Sequence, residues 1–375
     1  MNNEPKRILH IVSSMQRGGA ETLIMNIYRN INRDKIQFDF ITHSLVKGDF
    51  DDEIQQLGGH IYHIRSLGQL GPIQYIKELL RVMKMYPFAA VHAHTDYQSG
   101  FPALAAKLSG IPKRICHSHS TNWQRGASNK EKITLKLLQS CIRFSATHYC
   151  CCSEEAGSFL FGRELINRGK VKILNNGIDP SEFVRSINDR QQIIKELNLS
   201  KDAKIIGHVG RFSESKNHIF LLQVLKKLTE QDSSYVALLI GDGPLRKEVE
   251  EEAGRMGLLK NIRFLGVRAD ISRFMNAFDL FLFPSKFEGF GIVTIEAQCS
   301  GTPCIISDTV PKSTDMGLDL TTYISLEESL DHWCFKIKEA LMSTKPDSDL
   351  IVQQIDKRGY SIKENVKEWN DLYGA

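Results

Sequence analysis

The sequence predicts an α/β protein of two doubly wound domains, each a parallel sheet with helices on both faces. Three observations carry that expectation. Short apolar runs of strand length alternate with helix-length segments along nearly the whole chain, as they do where crossover helices join parallel strands. The chain has 375 residues, more than one core usually organises, and 42% of them are hydrophobic, enough to fill two. Histidine, glycine and charged residues gather where the apolar runs end, and ligands of such sheets sit beyond the carboxyl ends of the strands.

Bulk properties narrow the function classes. Up to Pro180 there are 23 Lys+Arg against 15 Asp+Glu, and beyond it 25 against 29, so a basic first half precedes an acidic second half. A basic half suits a negatively charged neighbour such as phospholipid. Nucleic acid is not expected, because the basic residues are not interleaved with aromatics as in known modules. No run of about 18 apolar residues occurs and the first residues lack a signal-peptide pattern, so a cytoplasmic protein is expected, peripheral on the inner face of the membrane if it docks there. The eight cysteines lie in apolar or helical segments without disulfide-framework spacing. The run Cys150-Cys151-Cys152 cannot ligate one ion, because neighbours on a strand point to opposite faces.

Taken in order, residues 7–14 form a strand that runs through Gly18-Gly19 into a helix over 22–30. Two glycines at such a turn let backbone approach a ligand at a helix N-terminus. Segments at 38–42, 53–57, 60–64, 73–85, 89–94 and 101–109 continue the alternation, followed by a strand at 114–118. His92 and His94 end one strand, and His117 and His119 the next. Residues two apart share a strand face, yet no Cys or carboxylate nearby completes a zinc set at metal spacing, so no metal is expected. Residues 130–144 pair apolar Ile133, Leu137, Leu138, Cys141 and Ile142 with basic Lys130, Lys132, Lys136 and Arg143. Both a membrane-surface helix and a core helix with a solvated basic face have that pattern.

Strands at 147–152 and 171–174 complete the first domain, expected over 1–180. A polar segment over 181–204 leads to the second, 181–359. There a strand at 205–210 ends in Gly210-Arg211, with Lys216 five residues on and a helix over 219–230. Arginine offers a planar fork and lysine a point charge, both suited to diphosphate oxygens. A strand at 236–240 runs into Gly241-Asp242-Gly243-Pro244, and one at 261–266 into Val267-Arg268. The stretch 281–308, FLFPSKFEGFGIVTIEAQCSGTPCIISD, reads as strand, loop, short helix, turn and strand. Its helix start presents backbone N–H groups around Phe290, Gly291 and Ile292 to an anion, with Glu288 before that point and Glu296 after it. A carboxylate can accept both hydrogen bonds of a vicinal diol.

Glu288 and Glu296, with seven residues between them and followed by Ala297-Gln298 and Gly301-Thr302-Pro303, resemble the signature of the family 4 retaining glycosyltransferases. The resemblance extends over nearly the whole chain. His117-Ser118-His119, the run from Gly266 to Asp270, and Ile306-Ser307-Asp308 are similar to exopolysaccharide and capsule enzymes within that family. It implies the GT-B fold, two Rossmann-like domains facing a central cleft, with the first taking the acceptor, the second the nucleotide sugar, and the last helix (360–375) returning to the first. It implies that Gly18 and Gly19 lie near the donor diphosphate and acceptor, and that His119, or His117 with a one-residue shift, lies near the transferred sugar. Arg211 and Lys216 would contact the diphosphate, with Gly210 and Gly243 in the ligand loops. The backbone at Val267 and Arg268 would read the base, Glu288 would hold the sugar and Glu296 the ribose. Ile292 departs from the proline of many relatives and supplies an extra N–H. No cofactor is implied beyond the nucleotide-sugar co-substrate, a UDP-sugar first, and the acceptor is a glycan or lipid-linked hydroxyl. Two other readings stand beside it: a nucleotide-sugar epimerase, and a non-catalytic nucleotide-sugar-binding subunit.

Overall fold

The computed structural model describes residues 4–121, 128–183 and 186–374, with the side chains of Lys130 and Ile187 outside the description. The chain divides into two compact units, Met1–Gly177 with Ile362–Ala375, and Ile178–Ser361.

The first unit holds β1 (Lys6–Val12), α1 (Gly19–Asn30), β2 (Ile36–Thr42), α2 (Asp51–Gln56), β3 (Ile61–His63), α3 (Leu67–Met83), β4 (Ala90–Ala93), α4 (Gly100–Leu108), β5 (Lys113–Ser118), α5 (Asn129–Ser145), β6 (His148–Cys151), α6 (Glu154–Phe161), α7 (Arg163–Asn167) and β7 (Val171–Ile173). Its strands pair in parallel in the order β3-β2-β1-β4-β5-β6-β7, so strand order reverses between β1 and β4. Both sheet faces are buried, and the period of two divides β1 between them. Ile8 and Val12 join the core under α1 and the C-terminal helix, while Leu9 and Ile11 join the core under α3 and α4. The C-terminal helix (Ile362–Tyr373) enters the first of these cores through Ile362, Trp369, Leu372 and Tyr373. Trp369 is fully buried there, and truncating such a side chain costs about 3–5 kcal/mol, which fastens the end of the chain to this sheet.

The second unit runs α8 (Ile187–Glu196), β8 (Lys204–Val209), α9 (His218–Gln231), β9 (Tyr235–Ile240), α10 (Arg246–Arg255), β10 (Ile262–Gly266), α11 (Ile271–Ala277), β11 (Leu280–Phe283), α12 (Ile292–Cys299), β12 (Cys304–Ser307), β13 (Thr321–Ile324), α13 (Leu330–Ala340) and α14 (Ser348–Lys357); the C-terminal helix is α15. Its sheet is also parallel, in the order β10-β9-β8-β11-β12-β13, and reverses between β8 and β11. β9, YVALLI, is buried along its whole length, as a strand covered on both faces must be.

Three elements differ from the sequence pattern. α3 begins at Leu67, before the expected residue 73, because a separate first turn capped by Ser66 and Gln69 precedes a break at Gly71 (φ +71°) and Pro72. β13 and the five-residue α7 arise in stretches too polar or too short to show a period.

Candidate active site

In the second unit the point of strand reversal brings two loops together. The loop after β8 carries Gly210, Arg211 and a single 3-10 turn, Glu214–Lys216. The loop after β11 carries Lys286 and Glu288. Lys286 donates its backbone N–H to the Ser215 carbonyl at 2.7 Å, and its ammonium lies 3.3 Å from Glu214. Lys216 forms an ion pair with Glu288, both side chains being mostly buried, and its ammonium sits 4.8 Å from the Phe283 ring centroid. The two residues expected to hold separate parts of a ligand thus hold each other. Arg211 is exposed and makes no ion pair among the described residues, so its guanidinium fork is open.

The loops after β8 and β9 are packed backbone to backbone. A Cβ on Gly241 would lie 2.1 Å from the Gly210 carbonyl oxygen, and one on Gly243 2.4 Å from that of Phe212. Phe212 N–H donates to the Asp242 carbonyl at 3.0 Å and Leu245 N–H to that of Phe212 at 3.1 Å. Glycine is therefore demanded here by the protein's own packing.

α12 begins at Ile292, with Gly291 as its cap at φ +89°, a left-handed conformation that favours glycine. Thr294 closes that end by donating its N–H and hydroxyl to the Gly291 carbonyl, at 2.9 and 2.8 Å. Phe290 is buried and stacks on Tyr360 with centroids 5.5 Å apart. Glu296, one turn into α12, is enclosed closely enough that desolvation, with the Glu182 carboxylate adding to it, lifts its pKa to about 7. Its side chain is thus poised between neutral and charged near neutral pH.

Val267 is half exposed just beyond β10. Arg268 is more constrained than its position suggested. It makes a two-pronged pair with Asp270 at 2.9 Å for both bonds and reaches Glu196 at 3.4 Å, while Arg273 shares the same two carboxylates. Its side chain is occupied within the unit.

In the first unit, five histidines line up on one face of three adjacent strands: His10 on β1, His92 and the neighbouring His94 on β4, His117 and the neighbouring His119 on β5. Period two puts His10 on the face of Ile8 and Val12, the α15 side, and the others follow in register, His10 opposite His92. They form two hydrogen-bonded rows. His119 Nε2 meets His94 Nδ1 at 2.9 Å, and His94 Nε2 meets His10 Nδ1 at 3.0 Å. Beside them, Tyr373 Oη meets His92 Nδ1 at 2.8 Å, and His92 Nε2 meets His117 Nδ1 at 3.2 Å. The rows stack on each other, with His92–His94 and His117–His119 centroids both 4.2 Å apart, and Trp369 lies across them. Burial holds His10 at about 3 and His92, His94 and His117 well below the ordinary histidine value, so all four are neutral. His119 is partly exposed. Asp96 accepts its backbone N–H at 2.7 Å and the Ser120 hydroxyl at 3.0 Å.

The ground on which metal was set aside in the sequence does not hold. Among the described residues no Cys or carboxylate completes the set, but other imidazoles do: the ligand nitrogens of His10, His92 and His94, and of His94, His117 and His119, each fall within 4.8 Å of one another. His10, Tyr373 and Trp369 escaped notice because nothing local links them to a pair of histidines some 80 residues away. The one available signal was a histidine at the inward phase of an otherwise apolar strand.

Gly18 precedes α1 in extended backbone (φ −151°) that any residue adopts, and a Cβ there would meet the tip of the Glu21 side chain. The fold itself does not require that glycine. Gly19 opens α1 and is exposed. On α5 the apolar residues divide: Ile142 is buried with Leu138 and Cys141 partly covered, but Ile133, Leu137 and Phe144 are 60%, 66% and 68% exposed. No helix among the described residues is long and apolar enough to cross a membrane.

Comparison with known proteins places these features in a family. The model for group 1 glycosyl transferases matches residues 189–343, and that for glycosyltransferase family 4 matches residues 17–182. A protein named glycosyltransferase EpsF from Bacillus subtilis (strain 168) is 42% identical over 374 residues, 100% of this chain and 97% of its own length. The UDP-Gal:α-D-GlcNAc-diphosphoundecaprenol α-1,3-galactosyltransferase of Escherichia coli is 24% identical over 82% of this chain and 81% of its own. Among solved structures, Anabaena HepE in complex with UDP and glucose superimposes with a TM-score of 0.79 at 20% identity, covering 98% of this chain and 99% of that one.

Proposed function

The chain belongs to glycosyltransferase family 4, with the GT-B fold, and from that premise we propose that it moves a sugar from a nucleotide diphosphate, a UDP-sugar before others, to a hydroxyl of a glycan or lipid-linked acceptor in exopolysaccharide or capsule assembly. The observation that carries this reading is the pairing of Lys216 with Glu288 at the strand reversal of the second sheet, beside an open Arg211. Both cations come from the loop after β8, where a departing diphosphate needs neutralising. The second unit takes the donor. Arg211, Lys216 and the backbone at the start of α12 hold the diphosphate, Glu296 holds the ribose, Glu288 the sugar, and the backbone at Val267 and Arg268 the base. The first unit supplies His119 near the transferred sugar and, with the Gly18-Gly19 turn, acceptor contacts.

The reaction retains configuration and needs no metal. The bond from the sugar's anomeric carbon to phosphate oxygen breaks, that carbon bonds to the acceptor oxygen on the same face, and the acceptor proton passes to the leaving phosphate. Fixed positive groups take the place of a divalent cation. UDP is favoured because HepE binds it and the E. coli relative is named for a UDP donor; that relative's diphosphoundecaprenol acceptor likewise favours a lipid-linked one. An epimerase would need acid and base groups on both sides of the sugar.

The test is a panel of UDP-, GDP- and ADP-sugars with and without a lipid-diphosphate-linked saccharide. UDP release should require the acceptor, persist in EDTA and yield a glycoside of the donor's anomeric configuration. Acceptor-independent conversion of the sugar would instead support the epimerase, and loss of turnover in EDTA restored by magnesium would overturn metal independence.

A further inference from the structure

We propose that His94 and His10 are positioning residues that lock His119 in its Nδ1–H tautomer, so that His119 meets the donor sugar as a hydrogen-bond donor and not as a base. The contact with the sugar rests on the reading above; the tautomer rests on the row of rings itself.

Three neutral imidazoles in a row have three N–H protons to distribute and two internal hydrogen bonds to make, which leaves two arrangements. In the first, protons point from His119 toward His10, and His10 Nε2 carries the last one. That atom is buried and has no hydrogen-bond partner among the described residues. In the second, the direction is reversed: His10 Nδ1–H donates to His94 Nε2, His94 Nδ1–H donates to His119 Nε2, and His10 Nε2 is left as a lone pair. Both keep the 3.0 and 2.9 Å bonds. They differ in what is orphaned in the apolar interior, and an unpaired buried N–H is the rarer and costlier defect. The second arrangement therefore holds, and it fixes the open end of the row. His119 accepts at Nε2 and keeps its proton on Nδ1, for which no protein partner exists among the described residues.

The rest of the neighbourhood keeps the row rigid. Asp96, itself in the left-handed region at φ +47°, clamps the His119 backbone, and the row of His92 and His117 stacks against the first under Trp369. Near-parallel rings, 20° and 30° between successive planes, and nitrogens bonded in pairs fit a hydrogen-bonded row better than ligands converging on one ion.

The experiment is long-range ¹H–¹⁵N correlation of histidine-labelled protein, with the His119 signals identified by their loss in His119→Ala. In the parent, Nδ1 should give the protonated-type resonance and Nε2 the bare one. His94→Leu removes the donor and should move His119 to the Nε2–H form that a free imidazole prefers; His10→Leu should do so through His94. His10→Gln, whose amide can still donate, should leave the tautomer in place. Turnover should fall by roughly 10- to 100-fold in the leucine variants, mostly in kcat, and recover in His10→Gln. An Nε2–H tautomer in the parent, a tautomer unmoved by His94→Leu, or zinc bound stoichiometrically and lost with His94 would overturn the proposal. Should the leucine variants fail to fold, the parent spectrum still decides. Full activity in His119→Ala would instead sink the sugar contact and leave the tautomer assignment intact.

Discussion

The two units solve opposite electrostatic problems with the same sheet design. At the strand reversal of the first sheet, His10, His92, His94 and His117 are neutral, stacked and buried, and His119 is the partly exposed ring of the five. At that of the second, Arg211 stays hydrated, and Lys216 is brought partway inside because Glu288 comes with it. Burying an unpaired charge costs several kcal/mol, whereas a neutral imidazole can go inside once its nitrogens are bonded. A surface meant to grip a diphosphate must therefore keep charge near water until the ligand replaces that water. One meant to orient a single ring can hide its supports.

Removing the cations tests that contrast most strongly. Arg211→Ala and Lys216→Ala should each lower kcat/KM by roughly 30- to 1000-fold, the loss of a charge-assisted contact worth about 2–4 kcal/mol in the transition state. The two should differ in stability. Arg211 makes no ion pair among the described residues, so the melting temperature of its variant should hold, while Lys216→Ala removes the Lys216 ion pair from the mostly buried Glu288 and should cost about 1–3 kcal/mol in denaturant unfolding. Adding Glu288→Gln to Lys216→Ala should restore stability and not turnover. Kinetics within threefold of the parent for either single variant would remove these residues from the site.

The architecture was legible because strand-length apolar runs and glycine-marked turns are local signals, and the parallel order follows from their alternation. Glu288 and Lys216 stood out the same way, on loops whose positions the strands dictate, and Glu296 on the short helix that follows one of them. What stayed hidden was contact between distant segments. Lys216 and Glu288 are 72 residues apart, and their pairing depends on β8 and β11 being neighbours. The His10–His94–His119 row spans three strands, and its cover, Trp369, arrives from the last helix. Gly243 looked like a ligand loop, yet its missing side chain is accounted for by Phe212; Gly18, where the fold makes no such demand, keeps the stronger case for a ligand.

Glu296 offers a smaller effect with a defined sign. Its pKa is raised by burial, then by Glu182, to about 7, above the value of an unfolded chain. The native state therefore holds a proton the unfolded state has released between about pH 4.5 and 7, and this residue's contribution to stability falls as pH rises through that window. Binding should respond in the opposite direction. If Glu296 grips the ribose diol as a carboxylate, donor must deprotonate it, and affinity for a UDP-sugar, whose diphosphodiester does not titrate there, should weaken about tenfold per pH unit below about 7. Calorimetric titration from pH 5.5 to 8 would show this slope, and Glu296→Gln should flatten it. A slope that survives the substitution would assign the titration elsewhere.

The smallest effect concerns α5, where the contrast reaches the surface. At about 100° per residue, Ile133, Leu137 and Phe144 fall within about 40° of one another, and Lys132, Lys136 and Arg143 lie about 60–100° to one side. An exposed apolar stripe flanked by cations fits the headgroup region of an anionic membrane, and it extends through Lys107, whose ammonium lies 3.7 Å from the Phe144 ring centroid. Lys130, part of the same sequence pattern, lies outside the described side chains. Each basic residue near such a surface contributes about 1 kcal/mol, reduced by salt. Lys132→Gln with Lys136→Gln should therefore weaken binding to phosphatidylglycerol vesicles about 30-fold at low salt. Leu137→Gln should weaken it without changing the salt dependence, since it removes area and not charge. Arg143 is left in place because its guanidinium donates to the Phe161 carbonyl at 3.0 Å and supports the fold. Co-sedimentation at low and high salt separates the two contributions. A parent that ignores anionic vesicles, or variants that bind as well as it does, would return the stripe to ordinary surface. Concentration-dependent dimers abolished by Leu137→Gln would instead mean that a second copy of the chain covers it.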